Sequence, residues 1–192
     1  MPEDVYVHVA LARGINVGTS HQVTMDDLRG VFENLGYTGV RTLLRSGNVV
    51  FSAAAPIGPA EVTAIEAEFE RVAGFTAGFV VLSGREFLEI TNENPLLDIA
   101  VNPAQSLVAY VPPTADARSA LAAEELEPPD PEWLAPEVMA VGKRAVYLWC
   151  PNGVSKSKVP AAFWKRVGPV YTARNLNTTS KLSEMVRARL LE

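Results

Sequence analysis

At 192 residues, with 48% hydrophobic side chains and a formal net charge of −5 from 17 basic against 22 acidic residues, the chain has enough apolar material for a core and none of the composition of a disordered protein. Its acidity argues against a general electrostatic nucleic-acid binder, whose affinity comes from counterions released at several phosphates. One cysteine, Cys150, leaves no intrachain disulfide and no cysteine-rich metal site, which suits a reducing compartment.

The start, Met1-Pro2-Glu3-Asp4, has no basic region of the kind that opens a signal peptide. No apolar run approaches the ~20 residues needed to span a bilayer. The expectation is a soluble, cytoplasmic protein without membrane contact.

Val5 to Leu11 reads as a buried strand. Thr24 suits a helix cap, with Asp26 and Asp27 placed for the positive end of the dipole. Met25, Leu28, Val31, Phe32 and Leu35 then recur at helical spacing up to Gly36. Val40–Arg45 and Asn48–Ser52 form a hairpin through Ser46-Gly47. Pro59 opens a helix whose apolar stripe is Val62, Ile65, Phe69 and Val72. A strand follows at Phe79–Leu82, and Ser83 with Glu86 makes a capping box for a short helix.

After a linker at residues 93–103 the same order returns. Leu107–Val111 is a strand and Ala115–Leu126 a helix. In the proline-rich connection that follows, Trp133 and Leu134 are expected to dock as anchors. Val138–Val141 and Ala145–Trp149 pair around Gly142-Lys143-Arg144. Ser155–Val167 is a helix, Val170–Ala173 a strand, and a last helix runs from about Thr178 to Leu191, capped by Asn177. The predicted fold is α+β: two ferredoxin-like, split β-α-β plaits in tandem, residues 1–92 and 104–192, with a C-terminal helix.

Four runs rich in Gly, Asn, Ser or basic residues sit at strand exits or helix starts, where backbone N–H groups and cations gather around anions. They are Arg13-Gly14-Ile15-Asn16-Val17-Gly18, Ser46-Gly47-Asn48, Ser155-Lys156-Ser157-Lys158 and Ala173-Arg174-Asn175-Leu176-Asn177-Thr178. The plait order places the first beside the second on one sheet edge. It places Lys156 and Lys158 beside Arg174, Asn175, Asn177 and Lys181 on the other sheet. Arg13, Arg45, Lys156, Lys158, Arg174 and Lys181 thus concentrate positive charge on an acidic body. Asn16, Asn48 and Asn175 are suited to orienting a ligand. The expected partner is a small anion, phosphorylated or nucleotide-like, in a cleft between the halves.

Each signal has a plainer reading beside it. The Gly14–Gly18 loop lacks the Lys of a Walker A loop and is not a dinucleotide fingerprint. Gly47 suits a turn through its φ angle alone. His8 fits a core imidazole; His21, in the first loop, has general-base chemistry but no carboxylate near it in sequence. Cys150 reads as buried and inert, and Trp133, Trp149 and Trp164 as packing residues. No paired catalytic carboxylates and no metal-ligand spacing occur, so no metal, cofactor or reaction is predicted. Two other functional classes stay open: an RNA or single-strand nucleic-acid module, which the net charge disfavours, and a non-catalytic interaction scaffold. The oligomeric state is not legible.

Ala12-Arg13-Gly14-Ile15-Asn16-Val17-Gly18, Ser46-Gly47-Asn48-Val49-Val50-Phe51 and Ala173-Arg174-Asn175-Leu176-Asn177-Thr178, with Lys181-Leu182 following, resemble a bacterial family catalogued as domain of unknown function 1697. The resemblance runs in order over nearly the whole chain. It implies a cytoplasmic α+β protein of two ferredoxin-like halves, and no substrate, cofactor or catalytic residue. The chain departs from that pattern at Leu176, where Trp is usual, at Arg45, where Gln is common, and at Thr19, where Gly is frequent. Leu176 weakens any case for aromatic stacking on a ligand ring.

Overall fold

The computed structural model describes residues 5–123 and 126–192. Met1-Pro2-Glu3-Asp4, read above for a leader, and Glu124 and Glu125, inside the predicted fourth helix, lie outside the described residues. The protein is a mixed α+β structure with two four-stranded antiparallel sheets. The chain divides into two compact units. One comprises residues 5–88 with Leu182–Glu192, the other the described residues of Glu89–Lys181. The segment 93–103 therefore belongs to the second unit, and the last helix contributes to both.

The first unit runs β1 (Tyr6–Ala12), α1 (Met25–Asn34), β2 (Thr38–Leu43), β3 (Asn48–Ala53), α2 (Pro59–Ala73) and β4 (Phe79–Ser83), followed by the start of α3 (Gly84–Asn92). Its sheet order is β2-β3-β1-β4. Ala10, Ala12, Phe51 and Phe79 present one face of the sheet to Leu28, Val31 and Phe32 of α1 and to Ile65 and Phe69 of α2. Each fully buried side chain of this size contributes about 1.5–3 kcal/mol relative to exposure. Phe32 meets Phe51 at 4.9 Å and Phe69 meets Phe79 edge-on at 5.4 Å. The helix ends follow their caps: Thr24 Oγ1 accepts the Asp27 N–H at 3.0 Å, and Gly36 closes α1 at φ +83°. Gly47 is required sterically, since a Cβ there would lie 2.6 Å from both Ala12 Cβ and Ile15 Cδ1.

In the second unit the order is β5 (Ser106–Tyr110), α4 (Ala115–Ala122), α5 (Pro131–Leu134), β6 (Val138–Val141), β7 (Ala145–Trp149), α6 (Ala161–Val167) and β8 (Thr172–Asn175), leading into α7 (Leu176–Leu190). The sheet order β6-β7-β5-β8 repeats that of the first. Ala109, Val111, Leu121, Val146, Phe163 and Val167 form its core. Leu182 and Val186 of α7 are buried, and Arg189 near its end donates to the Gly39 carbonyl at 2.9 Å.

Three local readings are corrected. The helix expected over Ser155–Val167 begins only at Ala161; Val154–Lys156 is a single 3-10 turn. Pro160 holds the residue before it out of helical geometry, so the apolar stripe starts after it. The last helix starts two residues early, with Asn175 Oδ1 accepting the Thr178 N–H at 3.0 Å, so Asn175 and not Asn177 is its cap. Trp133 is exposed at 53%, whereas its neighbour Leu134 is buried and serves as the anchor.

Candidate functional site

β1 ends in a loop that folds back on the β2–β3 turn. Ala12 donates its N–H to the Gly47 carbonyl at 2.8 Å. Asn16, at φ +53°, donates its side-chain amide to the carbonyls of Arg45 at 2.7 Å and Val23 at 3.0 Å, and its Oδ1 accepts the Val23 N–H at 2.8 Å. Short polar side chains tolerate this left-handed geometry best. The loop and the turn are thus in contact, but Asn16 is committed to joining them. Asn48 is fully buried and donates to the Leu43 carbonyl at 2.7 Å and to Ser46 Oγ at 3.0 Å, so it braces the turn from within.

The charges of this region stay at the surface. Arg13 and Arg45 are both exposed. The Arg45 guanidinium donates to Gln22 Oε1 at 2.9 Å. Together these two residues border a concavity of about 500 Å³ whose lining includes Val23, Thr24, Asp27 and Val72. Its floor meets the N-terminus of α1, where the first backbone donors of a helix lack intrahelical partners. Asp27 is the one acid among these lining residues, and its carboxylate accepts the Thr24 hydroxyl at 2.6 Å. His21 packs on Phe75 at 4.9 Å between ring centroids. The other imidazole, His8, is buried: its Nδ1 faces the Tyr6 carbonyl at 3.1 Å and its Nε2 accepts the Ile57 N–H at 3.3 Å.

The basic residues of the second unit go to different neighbours. Lys158 donates its ammonium to the carbonyls of Ala135 at 2.7 Å and Trp133 at 3.1 Å, at the C-terminal end of α5, where a cation is favourable. Its backbone N–H goes to Glu137 Oε1 at 2.7 Å. Lys156 is exposed on its 3-10 turn and stands at no α-helix N-terminus, which removes the dipole argument for an anion there. Arg174 turns inward instead. Its guanidinium donates to Thr172 Oγ1 at 2.7 Å and to the Ala173 carbonyl at 2.8 Å. Burial lowers its pKa to about 10, with the nearby Tyr110 hydroxyl opposing that shift. Tyr110, fully buried, is itself pushed up to about 12 by desolvation. Asn175 caps α7, while Asn177 and Lys181 are exposed on its first turns.

Some residues that shape these surroundings carry no motif. Gln22 and Thr24 complete the Arg45 concavity. Glu137 is buried, accepts the Ser157 hydroxyl at 2.6 Å and lies 3.7 Å from the Cys150 thiol. Burial first, and Glu137 second, push that thiol up to about 11. Arg144 spans to Glu89 at 2.7 Å and Glu93 at 2.6 Å. The turn Gly142-Lys143-Arg144 is legible in sequence, but no spacing rule reports a partner 51 to 55 residues away.

Among the described residues no three His, Cys, Asp or Glu side chains come together in a group able to hold a metal. No helix among them is long and apolar enough to cross a membrane. The aromatic residues Phe51, Tyr110, Tyr147 and Trp149 of the central strands are buried, and only Tyr6, at the start of β1, is exposed. None of those four rings offers a stacking platform for bases.

The solved structure of conserved bacterial protein SP0830 from Streptococcus pneumoniae is similar to this chain, with a TM-score of 0.69 at 27% identity over 95% of this chain and 99% of that one. A putative chlorite dismutase, TA0507, aligns over 94% of this chain and 98% of its own with a TM-score of only 0.22 at 13% identity. Among curated proteins none matches significantly. The sequence profile described as "Protein of unknown function (DUF1697)" matches residues 5–147. With that profile spanning well over half of its residues, the chain belongs to the DUF1697 family.

Proposed function

We propose that this protein binds a small anionic ligand, phosphorylated or nucleotide-like, at the surface where the first loop meets the β2–β3 turn. The observation that carries the reading is the Arg45 guanidinium, steered by Gln22 at 2.9 Å beside a concavity of about 500 Å³ at the start of α1. An arginine presents parallel N–H donors that match phosphate oxygens, and a neutral amide orients it without cancelling its charge. Arg13, exposed at the start of the first loop, is the second cation of this surface. A charge-assisted hydrogen bond contributes roughly 1.5–3 kcal/mol net. A few of them reach micromolar affinity, ~−8 kcal/mol.

The ten candidates divide accordingly. Asn16, Asn48, Lys158 and Asn175 are supports whose donors or acceptors serve the fold. Arg174 is a buried cation. Arg13, Arg45, Lys156, Asn177 and Lys181 are the exposed members of the set. Binding is proposed, not a reaction. We also read each sheet with its helices as a ferredoxin-like plait, residues 1–92 and 104–192. The split β-α-β order and the repeated strand order support this. A bacterial, cytoplasmic setting is supported by the single cysteine and by the bacterial neighbour.

A thermal-shift screen of anionic metabolites tests the reading, since a ligand at a hundredfold excess over its Kd adds ~2.7 kcal/mol of stability. The expected result is a stabilising phosphorylated compound whose effect disappears in Arg45→Ala. A stabilising compound whose effect survives both Arg45→Ala and Arg13→Ala would refute it.

A further inference from the structure

The hollow of about 500 Å³ beside Arg45 has a polarity that a bare anion does not use. Two helix ends line it: Met25 opens α1, and Val72 and Ala73 close α2. The first N–H groups of a helix and its last carbonyls lack intrahelical partners. Thr24 Oγ1 takes the Asp27 N–H at 3.0 Å, while the Met25 N–H donates to nothing among the described residues. At the end of α2 the Gly74 N–H closes on the Glu70 carbonyl at 2.8 Å, and the carbonyls of Val72 and Ala73 receive no donor from the described residues. Backbone donors of one helix and backbone acceptors of another thus meet in one hollow.

The side chains repeat that division. Gln22 spends its amide hydrogens on the carbonyls of Gly18 at 3.0 Å and Ser20 at 3.2 Å, so it holds Arg45 and has no donor left. Arg45 is therefore the cationic donor of the lining. Asp27 is the acceptor: its Oδ2 takes the Thr24 hydroxyl at 2.6 Å, and its Oδ1 takes no hydrogen bond from the described residues. Val23, buried, and Met25, Val72 and Ala73, half-buried, supply the apolar surface. A bare phosphate satisfies Arg45 and is repelled by Asp27. A ligand that also carries hydroxyl donors and an apolar face satisfies both, and a hollow with an apolar lining and a few fixed polar groups selects such a molecule.

We infer that this hollow takes a nucleoside monophosphate. The phosphate lies on Arg45 and the start of α1, a ribose hydroxyl donates to Asp27 Oδ1, and the base lies against Met25, Val72 and Ala73. The last carbonyls of α2 accept from the N–H groups of the base. Asp27 is the selecting residue, since a carboxylate accepts a hydroxyl strongly and disfavours surplus negative charge. The inference rests on the Arg45 reading above and adds to it the class of molecule that carries the phosphate.

The test is titration of the full 15N-labelled chain with adenosine 5′-monophosphate, its 2′,3′-dideoxy analogue, ribose 5-phosphate, inorganic phosphate and pyrophosphate. Adenosine 5′-monophosphate is expected to shift the Met25, Asp27, Val72 and Ala73 amides saturably. It is expected to bind at least tenfold tighter than inorganic phosphate or ribose 5-phosphate, and at least fivefold tighter than the dideoxy analogue. Asp27→Ala is expected to remove that fivefold preference and to leave pyrophosphate binding unchanged or tighter. If Asp27→Ala does not fold, the dideoxy comparison in the wild type decides. Adenosine 5′-monophosphate binding no tighter than inorganic phosphate, or no tighter than its dideoxy analogue, overturns the inference. So does an Asp27→Ala variant that weakens pyrophosphate as much as the nucleotide. Either result, with pyrophosphate binding that Arg45→Ala abolishes, leaves the Arg45 anion site standing. Pyrophosphate that does not bind, or binds regardless of Arg45, overturns both.

Discussion

Asn16 donates its side-chain amide to the main-chain carbonyl of Arg45 at 2.7 Å, across 29 residues of sequence. The residue suited by sequence to orienting a ligand is therefore the staple that fixes where Arg45 leaves the backbone. Removing that amide strands the Arg45 and Val23 carbonyls and the Val23 N–H. Asn16→Ala is expected to destabilise the protein by about 1–3 kcal/mol, with Asn16→Asp no better because a carboxylate cannot donate. Urea denaturation measures both. A change within error would show that water replaces the staple at no cost.

Gly47 and Gly74 separate crowding from backbone strain. Both have positive φ, +79° and +78°, but a Cβ meets Ala12 and Ile15 at Gly47 and nothing within 4 Å at Gly74. Gly74→Ala is expected to cost about 1–2 kcal/mol through conformation alone. Gly47→Ala adds an overpacking penalty of about 1–3 kcal/mol. Equal losses in the two variants would refute the steric account of Gly47.

His8 gives stability a pH dependence of known sign. Desolvation lowers its folded pKa below the ordinary 6.5, partly offset by the Tyr6 carbonyl. The unfolded chain therefore binds the proton more readily. The His8 contribution is complete above the unfolded value and is lost as pH falls from there toward the folded value. His8→Leu is expected to lower stability at pH 8, because the Ile57 N–H loses its acceptor. It is also expected to shrink the fall in urea midpoint between pH 7.5 and 5.5. An unchanged fall would assign the pH dependence to other groups.

Around Glu137, the Ser157 hydroxyl and the Lys158 N–H share one buried carboxylate. Glu137→Ala leaves both donors unsatisfied and is expected to cost about 2–4 kcal/mol, well beyond Lys158→Ala, whose ammonium is at the surface. Cys150, buried and with its pKa raised to about 11, is expected to resist a thiol reagent at pH 8 in the wild type and to label faster in Glu137→Ala. Equal labelling rates would show that Glu137 does not hold the segment over the thiol.

The elements were legible where a cap and an apolar stripe agree. Thr24 with the Leu28–Phe32 stripe marks α1, and Pro59 with Ile65 and Phe69 marks α2. The hairpins announced themselves through Gly47 and Gly142. Legibility failed where one residue type serves two ends. Asn175 and Asn177 are both capable caps, and β8 runs into α7 with no loop to choose between them. Ser155 and Ser157 mimic a helix start that Pro160 postpones. The candidate site was legible in its placement, since strand order brings the first loop to the β2–β3 turn. It was not legible in its chemistry. Asn16, Asn48 and Lys158 have the same donors whether they hold a ligand or a neighbouring carbonyl, and the choice is made by contacts 5 to 29 residues away.

The most direct measurement is a titration of the full-length 15N-labelled protein with pyrophosphate, in the wild type and in Arg45→Ala. Saturable shifts of the Gln22, Thr24, Met25 and Arg45 amides are expected, and their loss in Arg45→Ala while the remaining spectrum stays folded. Shifts at these amides that persist without the guanidinium, or a wild-type loop that does not respond to pyrophosphate at all, would contradict the assignment of an anion site to Arg45.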